Sequence, residues 1–300
     1  MQRQELKSNL LLLMTAAIWG FAFVAQRVGA QYLGAFTFGG IRFALGSVSL
    51  LPLLFYFRNK PSQEASENDD LRTTLKSGMI AGSILFAAAA LQQIGLAYTT
   101  AGKAAFITGL YIVLVPLLGV FLKQRIKIST WAGVALAVIG LYFLTVNEDL
   151  SIARGDMFEI VGAFFWASHI LVIDHYANKV DPFKFSFVQF LTCSILSLIA
   201  AFAFEDISMD AISKAIIPLL YGGILSAGVA YTLQAVGQKH AKPSHAAIIL
   251  SMESVFAAIG GALLLHENLG AKGYLGCMLM FAGMMVTQIA GFVKGKDATE

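Results

Sequence analysis

Charge is what this chain has least of. Only 13% of its 300 residues are Asp, Glu, Lys or Arg, against about 25% in an ordinary soluble domain. In contrast, 57% are hydrophobic and the mean hydropathy is +0.72. So few polar side chains cannot cover a surface that faces water, which excludes a soluble two-domain enzyme, a disordered protein and a nucleic-acid-binding protein. The formal charge of +3 is too small to select a polyanionic partner. Cysteine is nearly absent, and Cys193 and Cys277 both lie in apolar runs, so neither a disulfide framework nor a zinc site is expected. The sequence lacks a GxxxxGK[ST] loop, an HExxH pair and a paired CxxC. It therefore reads as no ATP-driven pump in its own right and as no enzyme, with no metal and no cofactor expected.

What fills the chain is apolar runs. Ten of them, at about 9–30, 34–57, 77–98, 102–122, 129–146, 156–174, 183–204, 215–238, 244–265 and 271–293, have the length of membrane-crossing helices. The first follows Arg3 and Lys7 but ends on no small-residue cleavage site, so it reads as an uncleaved helix. Alternate connections differ sharply in basic residues. Fifteen of the 21 Lys and Arg fall with the N-terminus, the 58–76 loop and the connections on the same side, five fall opposite, and Arg42 lies inside the second run. Cytoplasmic loops retain positive charge, so both termini are expected in the cytoplasm. The expected fold class is an all-α integral membrane protein of ten transmembrane helices in the lipid bilayer of the cell membrane. The polar stretch Lys60 to Thr74 reads as a solvated cytoplasmic loop.

The chain also repeats itself. A shift of 147 residues pairs Trp19 with Trp166, Phe36 with Phe183, Phe43 with Phe190 and Ser47 with Ser194. A shift of 142 pairs Leu91-Gln92-x-x-Gly95 with Leu233-Gln234-x-x-Gly237, and Ala104, Ala105 and Ile107 with Ala246, Ala247 and Ile249. One further residue of slip pairs Gly133 and Gly140 with Gly276 and Gly283. The predicted domains are two five-helix repeats, 1–150 and 151–300. Because five is odd, the second copy enters the membrane inverted, the usual plan of secondary transporters with a site near the bilayer midplane.

Ala17-Ile18-Trp19-Gly20-Phe21, Ile41-Arg42-Phe43, Leu91-Gln92, Ala104-Ala105-Phe106-Ile107 and His266-Glu267 resemble the drug/metabolite transporter superfamily, specifically its EamA-type ten-helix exporters. The resemblance covers nearly the whole chain. It implies a five-plus-five inverted fold, a central cavity and alternating-access transport, often outward, of small metabolites such as amino acids or nucleosides. Where family members often carry Glu at the end of the fourth helix, this chain has Gln124-Arg125.

Charges inside hydrocarbon persist mainly where they face a cavity or a partner. Glu253, near the middle of the ninth run, shares a helical stripe with Ala246 and Ile249. Its counterpart Tyr111 shares the matching stripe with Ala104 and Ile107. Glu253 is expected to bind a proton or a cationic amine of the substrate, the bland reading being a structural glutamate bonded to Ser or Tyr. Arg42, whose counterpart is Gln189, suits a substrate carboxylate through its planar fork. It suits equally a structural role, snorkelling or pinning helix ends, and the resemblance favours the structural reading because family members share this Arg across substrates. Gln92 and Gln234 offer buried amides for either substrate or interhelical bonds. Trp19 and Trp166 sit within helices, where they wall a cavity or simply pack. Tyr98, Tyr231 and His169 are lesser candidates for the same wall. Glu267 caps a helix or marks an outer gate, and Asp174 and His175 near Lys179 read as interfacial ion pairs. Pro116 has Ala258 as its counterpart, so a kink there would be asymmetric. An intramembrane lipid enzyme would need an acid, base and nucleophile at one depth, for which Glu253, His169 and Ser251 are the only collection. A scaffold or sensor would leave Glu253 and Arg42 without a task.

Overall fold

A computed structural model describes residues 2–57, 70–98, 101–123, 126–145, 154–264 and 270–296. The predicted polar loop Lys60 to Thr74 as far as residue 69, Gln124-Arg125 and His266-Glu267 lie outside the described residues. Helix accounts for almost all of the rest, with no strand among the described residues. In hydrocarbon, backbone N–H and C=O groups must be satisfied within the segment, and a helix does this for every apolar run. The first half contains α1 (Gln2–Gly29), α2 (Ala35–Phe57), α3 (Leu71–Tyr98), α4 (Ala101–Gly109), α5 (Tyr111–Phe121) and α6 (Ile128–Thr145). The second half contains α7 (Arg154–Tyr176), α8 (Pro182–Phe204), the short α9 (Met209–Lys214) and α10 (Ile216–Leu220). A π-helical segment (Tyr221–Tyr231) follows, then α11 (Thr232–Gln238), α12 (Pro243–Leu250), α13 (Glu253–Leu264) and α14 (Gly270–Lys296).

Among the described residues, seven helical stretches can cross a membrane by length and composition, including Leu71–Tyr98, Ile216–Gln238 and Pro243–Leu264. The stretches Ile107–Phe121, Ile128–Phe143 and Gly270–Val286 are apolar but shorter. The expectation of ten full spans is thus met at crossing length by seven. The third helix begins earlier than its apolar run, at Leu71, because Asp70 accepts from Arg72 N through Oδ1 (3.3 Å) and from Thr74 N through its carbonyl (3.0 Å). Large apolar side chains such as Phe55, Met79, Val120, Ile199, Phe202, Ile217 and Met278 are exposed, as lipid-facing positions require and water-facing ones seldom allow.

Packing partners cross between the halves in a reciprocal pattern. The α2 helix packs on α8 and α6 packs on α14. The α3–α7 contact has its counterpart in α1 against the π segment and α11, and α1–α13 has its counterpart in α7–α5. Glycines set the closest of these approaches. A Cβ on Gly140 would stand 2.6 Å from Gly276 O, and one on Gly283 would stand 2.6 Å from Gly133 O, so the four glycines that pair in sequence also cross-pack.

Two helices are interrupted at equivalent points. Between α4 and α5, Leu110 N donates to Ile107 O at 3.1 Å, and between α12 and α13, Met252 N donates to Ile249 O at 3.1 Å. Both residues of each pair stand 142 apart. These i→i−3 bonds tighten one turn in mid-span, a feature that often marks a hinge. The interruption lies at Leu110 and not at the buried Pro116 within α5, and its twin makes it symmetric. Glu253 accordingly opens α13 instead of lying in mid-helix.

The second helix of each half receives a carboxylate at its start. Asp181 Oδ1 accepts from Phe183 N (2.9 Å) and Lys184 N (3.0 Å) in α8. Glu205, at the far end of α8, accepts from the counterpart groups Phe36 N (2.9 Å) and Thr37 N (2.7 Å) in α2. Negative charge there offsets unsatisfied N–H groups and the helix dipole.

Candidate functional site

A cavity of about 430 Å³ lies between the halves, lined from α1, α2, α3, α4, α5, α7, the π segment, α11 and α13. Eight of the ten candidate residues line it: Glu253, Arg42, Trp19, Trp166, Gln92, Gln234, Tyr111 and Tyr231. His169 stands behind that wall. Its ring meets Trp166 edge-on at 6.2 Å and Tyr231 at 5.9 Å, and its Nε2 is 3.0 Å from Gln189 Oε1. Tyr98 is elsewhere, 59% exposed at the end of α3, with the Arg154 guanidinium 6.0 Å from its ring. The end of an apolar run marks a helix end, and aromatic residues favour such interfaces.

At one side of the cavity, Tyr111 donates its hydroxyl to Glu253 Oε1 at 3.0 Å, with both side chains buried. At another, Arg42 is only 4% exposed and does not snorkel. Its Nη1 donates to Gln26 Oε1 at 2.9 Å, its Nη2 to Ser226 Oγ at 3.4 Å, and its Nε has no protein partner. Among the described residues no carboxylate pairs with this guanidinium. A buried cation held only by neutral groups keeps donors available to an anion.

Aromatic rings make the rest of the wall. Tyr231 is fully buried at its centre, 4.5 Å from Trp19, 6.2 Å from Trp166 with planes 21° apart, 6.1 Å from Phe43 and 5.9 Å from Phe190. Trp19 and Trp166 lie 6.5 Å apart. The wide turn of the π segment is tied to α1, since Trp19 Nε1 donates to Ser226 O (3.2 Å), Thr15 Oγ1 to Ala230 O (3.1 Å) and Tyr221 OH to Ile18 O (3.0 Å).

Three polar cavity residues escaped the sequence reading: Gln26, Ser226 and Thr108. Only Thr108 carried a signal, standing four residues after Ala104 and three before Tyr111, on a neighbouring stripe of the same helix. The supposed acid–base set does not assemble. Ser251 Oγ donates to its own helix at Ile248 O (2.8 Å), while Glu253 bonds Tyr111 and His169 contacts Gln189. No group of three metal-ligating side chains occurs among the described residues.

A model of the EamA-like transporter family matches residues 6–146 and again 153–289. The chain belongs to the EamA-like transporter family. It is therefore a multi-pass membrane protein of a transporter family. An uncharacterized transporter of Archaeoglobus fulgidus is 30% identical over 288 residues, covering 95% of this chain and 87% of its own. A Salmonella typhimurium protein named "probable amino-acid metabolite efflux pump" is 24% identical over 300 residues, covering 95% and 96%. A crystal structure with 15% identity superposes at a TM-score of 0.78, covering 94% of this chain and 96% of the other. That likeness is one of fold. Within the EamA-like fold of this chain, the cavity is the place where a cationic side chain, a carboxyl group and an aromatic wall converge.

Proposed function

We infer that this EamA-like transporter exports small metabolites of the amino-acid class across the cell membrane by alternating access. The observation that carries the reading is that Arg42, with no carboxylate partner, and Glu253 line one cavity. A zwitterion fits that pair, its carboxylate on the guanidinium fork and its ammonium on the carboxyl group, with the side chain against Trp19, Trp166 and Tyr231. A nucleoside would use the ring wall and the amides of Gln92 and Gln234 but would leave Arg42 without an anion, so amino acids are preferred. The names of relatives, including efflux pumps, support the outward direction.

The moving parts would be two inverted five-helix repeats, 1–150 and 151–300, with both termini in the cytoplasm. Reciprocal packing and the twin interruptions at Leu110 and Met252 support that reading, the interruptions serving as hinges next to Tyr111 and Glu253. Glu253 would exchange a proton for the substrate's ammonium and so couple transport to the proton gradient. The test is counterflow in proteoliposomes with radiolabelled amino acids, purine nucleosides and quaternary amines at two pH values. Counterflow of amino acids alone is expected. Counterflow of nucleosides or quaternary amines with none of amino acids would overturn the assignment.

A further inference from the structure

Glu159 is a second carboxyl group beside the cavity, and the transport reading above gives it no part. It is 0% exposed and lies on α7 seven residues before Trp166 and eleven before Ile170. These spacings put all three on one helical stripe, and Trp166 and Ile170 line the cavity. Thr108, also in the cavity wall, donates its hydroxyl to Glu159 Oε2 at 3.0 Å. Oε1 has no protein partner. Gly95, one turn from the cavity residue Gln92, leaves the room that Oε1 occupies, for a Cβ there would stand 2.5 Å from it.

The internal repeat shows that packing does not require a carboxyl at this point. Shifted by 147, the counterpart of Glu159 is Leu12. Shifted by 142, the counterpart of Thr108 is Leu250 and that of Gly95 is Gly237. Leu12 and Leu250 are fully buried, and a Cβ on Gly237 would meet Leu12. One half therefore fills the place with leucines, and the other fills it with a carboxyl and a hydroxyl. An ionised carboxylate has acceptor sites for about four hydrogen bonds, and this one is offered a single hydroxyl. A proton removes the charge that the protein leaves unpaired.

We propose that Glu159 is a proton-binding site that controls the cavity through Thr108. This rests on the transport reading of the cavity. Without its proton, Glu159 holds the Thr108 hydroxyl as a donor turned away from the cavity. With a proton bound, Glu159 can itself donate, and the Thr108 hydroxyl is released toward the substrate. Loading forms the O–H bond at Glu159 as one O–H bond of a hydronium ion breaks and water leaves, at the end of the bundle where α7 begins, and release is the reverse. The charged and titratable groups facing this region are few. Asp156, also buried, lies one turn earlier on α7. Arg154 lies further out on the same helix, over the Tyr98 ring of α3. Arg27 of α1 donates to Leu96 O, next to Gly95, at 2.6 Å. Lys103 of α4 has a side chain outside the described residues. Tyr111 of α5 is bonded to Glu253.

The experiment compares wild type, Glu159→Gln, Glu159→Leu and Thr108→Val in proteoliposomes. Radiolabelled L-alanine and L-phenylalanine are followed in equilibrium exchange at equal pH and in accumulation driven by a pH gradient. Glu159→Gln and Glu159→Leu are expected to keep exchange within about twofold of wild type and to lose gradient-driven accumulation at least tenfold. Thr108→Val should also lose gradient-driven accumulation while keeping the proton site. Infrared difference spectra between high and low pH read proton binding without substrate, and the carboxylic carbonyl band of wild type and Thr108→Val should lose the Glu159 component in Glu159→Gln, the Glu253 component remaining. Undiminished gradient-driven accumulation in both Glu159 variants, loss of exchange in the same proportion, or an unchanged infrared band would each overturn the proposal. Absence of exchange in wild type with both amino acids would count against the transport reading instead, and the infrared band would still decide the proton site.

Discussion

Tyr111 hydrogen-bonds to Glu253 at 3.0 Å in one wall of the cavity, and the two residues are counterparts, 142 positions apart in the chain's internal repeat. Counterparts touch each other only near the axis that relates two copies. Trp19 with Trp166 and Phe43 with Phe190, each 147 apart, also meet here at 6.5 Å and 6.2 Å. Two of these pairs line the cavity and the third packs against Tyr231 of its wall, so both halves contribute equally there. Glu253 and Arg42 break that equality, since their counterparts are Tyr111 and Gln189. A binding site that favours one substrate orientation needs such a break.

Glu253→Gln keeps an oxygen for the Tyr111 hydroxyl and removes the charge and the proton site. The variant should fold normally by size-exclusion chromatography. Its amino-acid counterflow should fall roughly ten- to hundredfold, the loss of one charge-assisted hydrogen bond of about 1.5–3 kcal/mol, and the remaining transport should vary with pH only to the extent that Glu159 sets. Full transport with unchanged pH dependence would remove Glu253 from both binding and coupling.

Arg42→Lys keeps the positive charge and loses the planar fork that holds Gln26 and Ser226 together with an anion. Counterflow of amino acids should drop at least tenfold, whereas competition by the corresponding decarboxylated amines should be unaffected. Normal amino-acid transport by this variant would confine Arg42 to a structural role.

Most of the helical architecture was legible because the hydrocarbon imposes one rule on every span, an apolar run with polar ends. Leu71–Thr74 was misread as loop because its polar side chains hide the helix that Asp70 starts. Paired Trp, Gln and Gly residues were legible because repetition marks positions without regard to partners. Gln26, Ser226 and Glu159 were not, since a lone amide, hydroxyl or carboxyl in an apolar run has no period of its own and its partner depends on how the helices pack. Thr15 shows the ambiguity, donating to its own helix at Leu11 O (3.0 Å) and to Ala230 O of the π segment (3.1 Å). The tightened turn at Met252 carries no Pro or Gly, and Gly109 in the turn at Leu110 has Ser251 as its counterpart, so the pair of turns was equally silent.

Gly140→Ala and Gly283→Ala each place a methyl group against backbone that cannot swing aside. Each should destabilise the α6–α14 contact by about 1–3 kcal/mol, the usual cost of overpacking. Thermal unfolding in detergent should show both variants lowered. A control at Gly270, whose Cβ would meet nothing within 4 Å, should be lowered only through its positive φ of 60°, a strain confined to one residue.

Tyr231 separates the cavity from the buried pair His169 and Gln189, so its ring sets the cavity's extent on that side. Tyr231→Phe keeps every ring contact and should leave the KM for phenylalanine within about threefold of wild type. Tyr231→Leu removes the stacked partner of Trp166 and the close neighbour of Trp19, which costs about 0.5–1.5 kcal/mol per aromatic pair. It also opens space toward His169 Nδ1 and Gln189 Nε2, both without protein partners. The KM for tryptophan should then fall relative to that for alanine, because the larger side chain fills the vacated volume. A stable Tyr231→Leu protein with an unchanged tryptophan-to-alanine ratio would mean that the substrate never approaches this wall, and the assignment of the aromatic cluster to substrate side chains would fall with it.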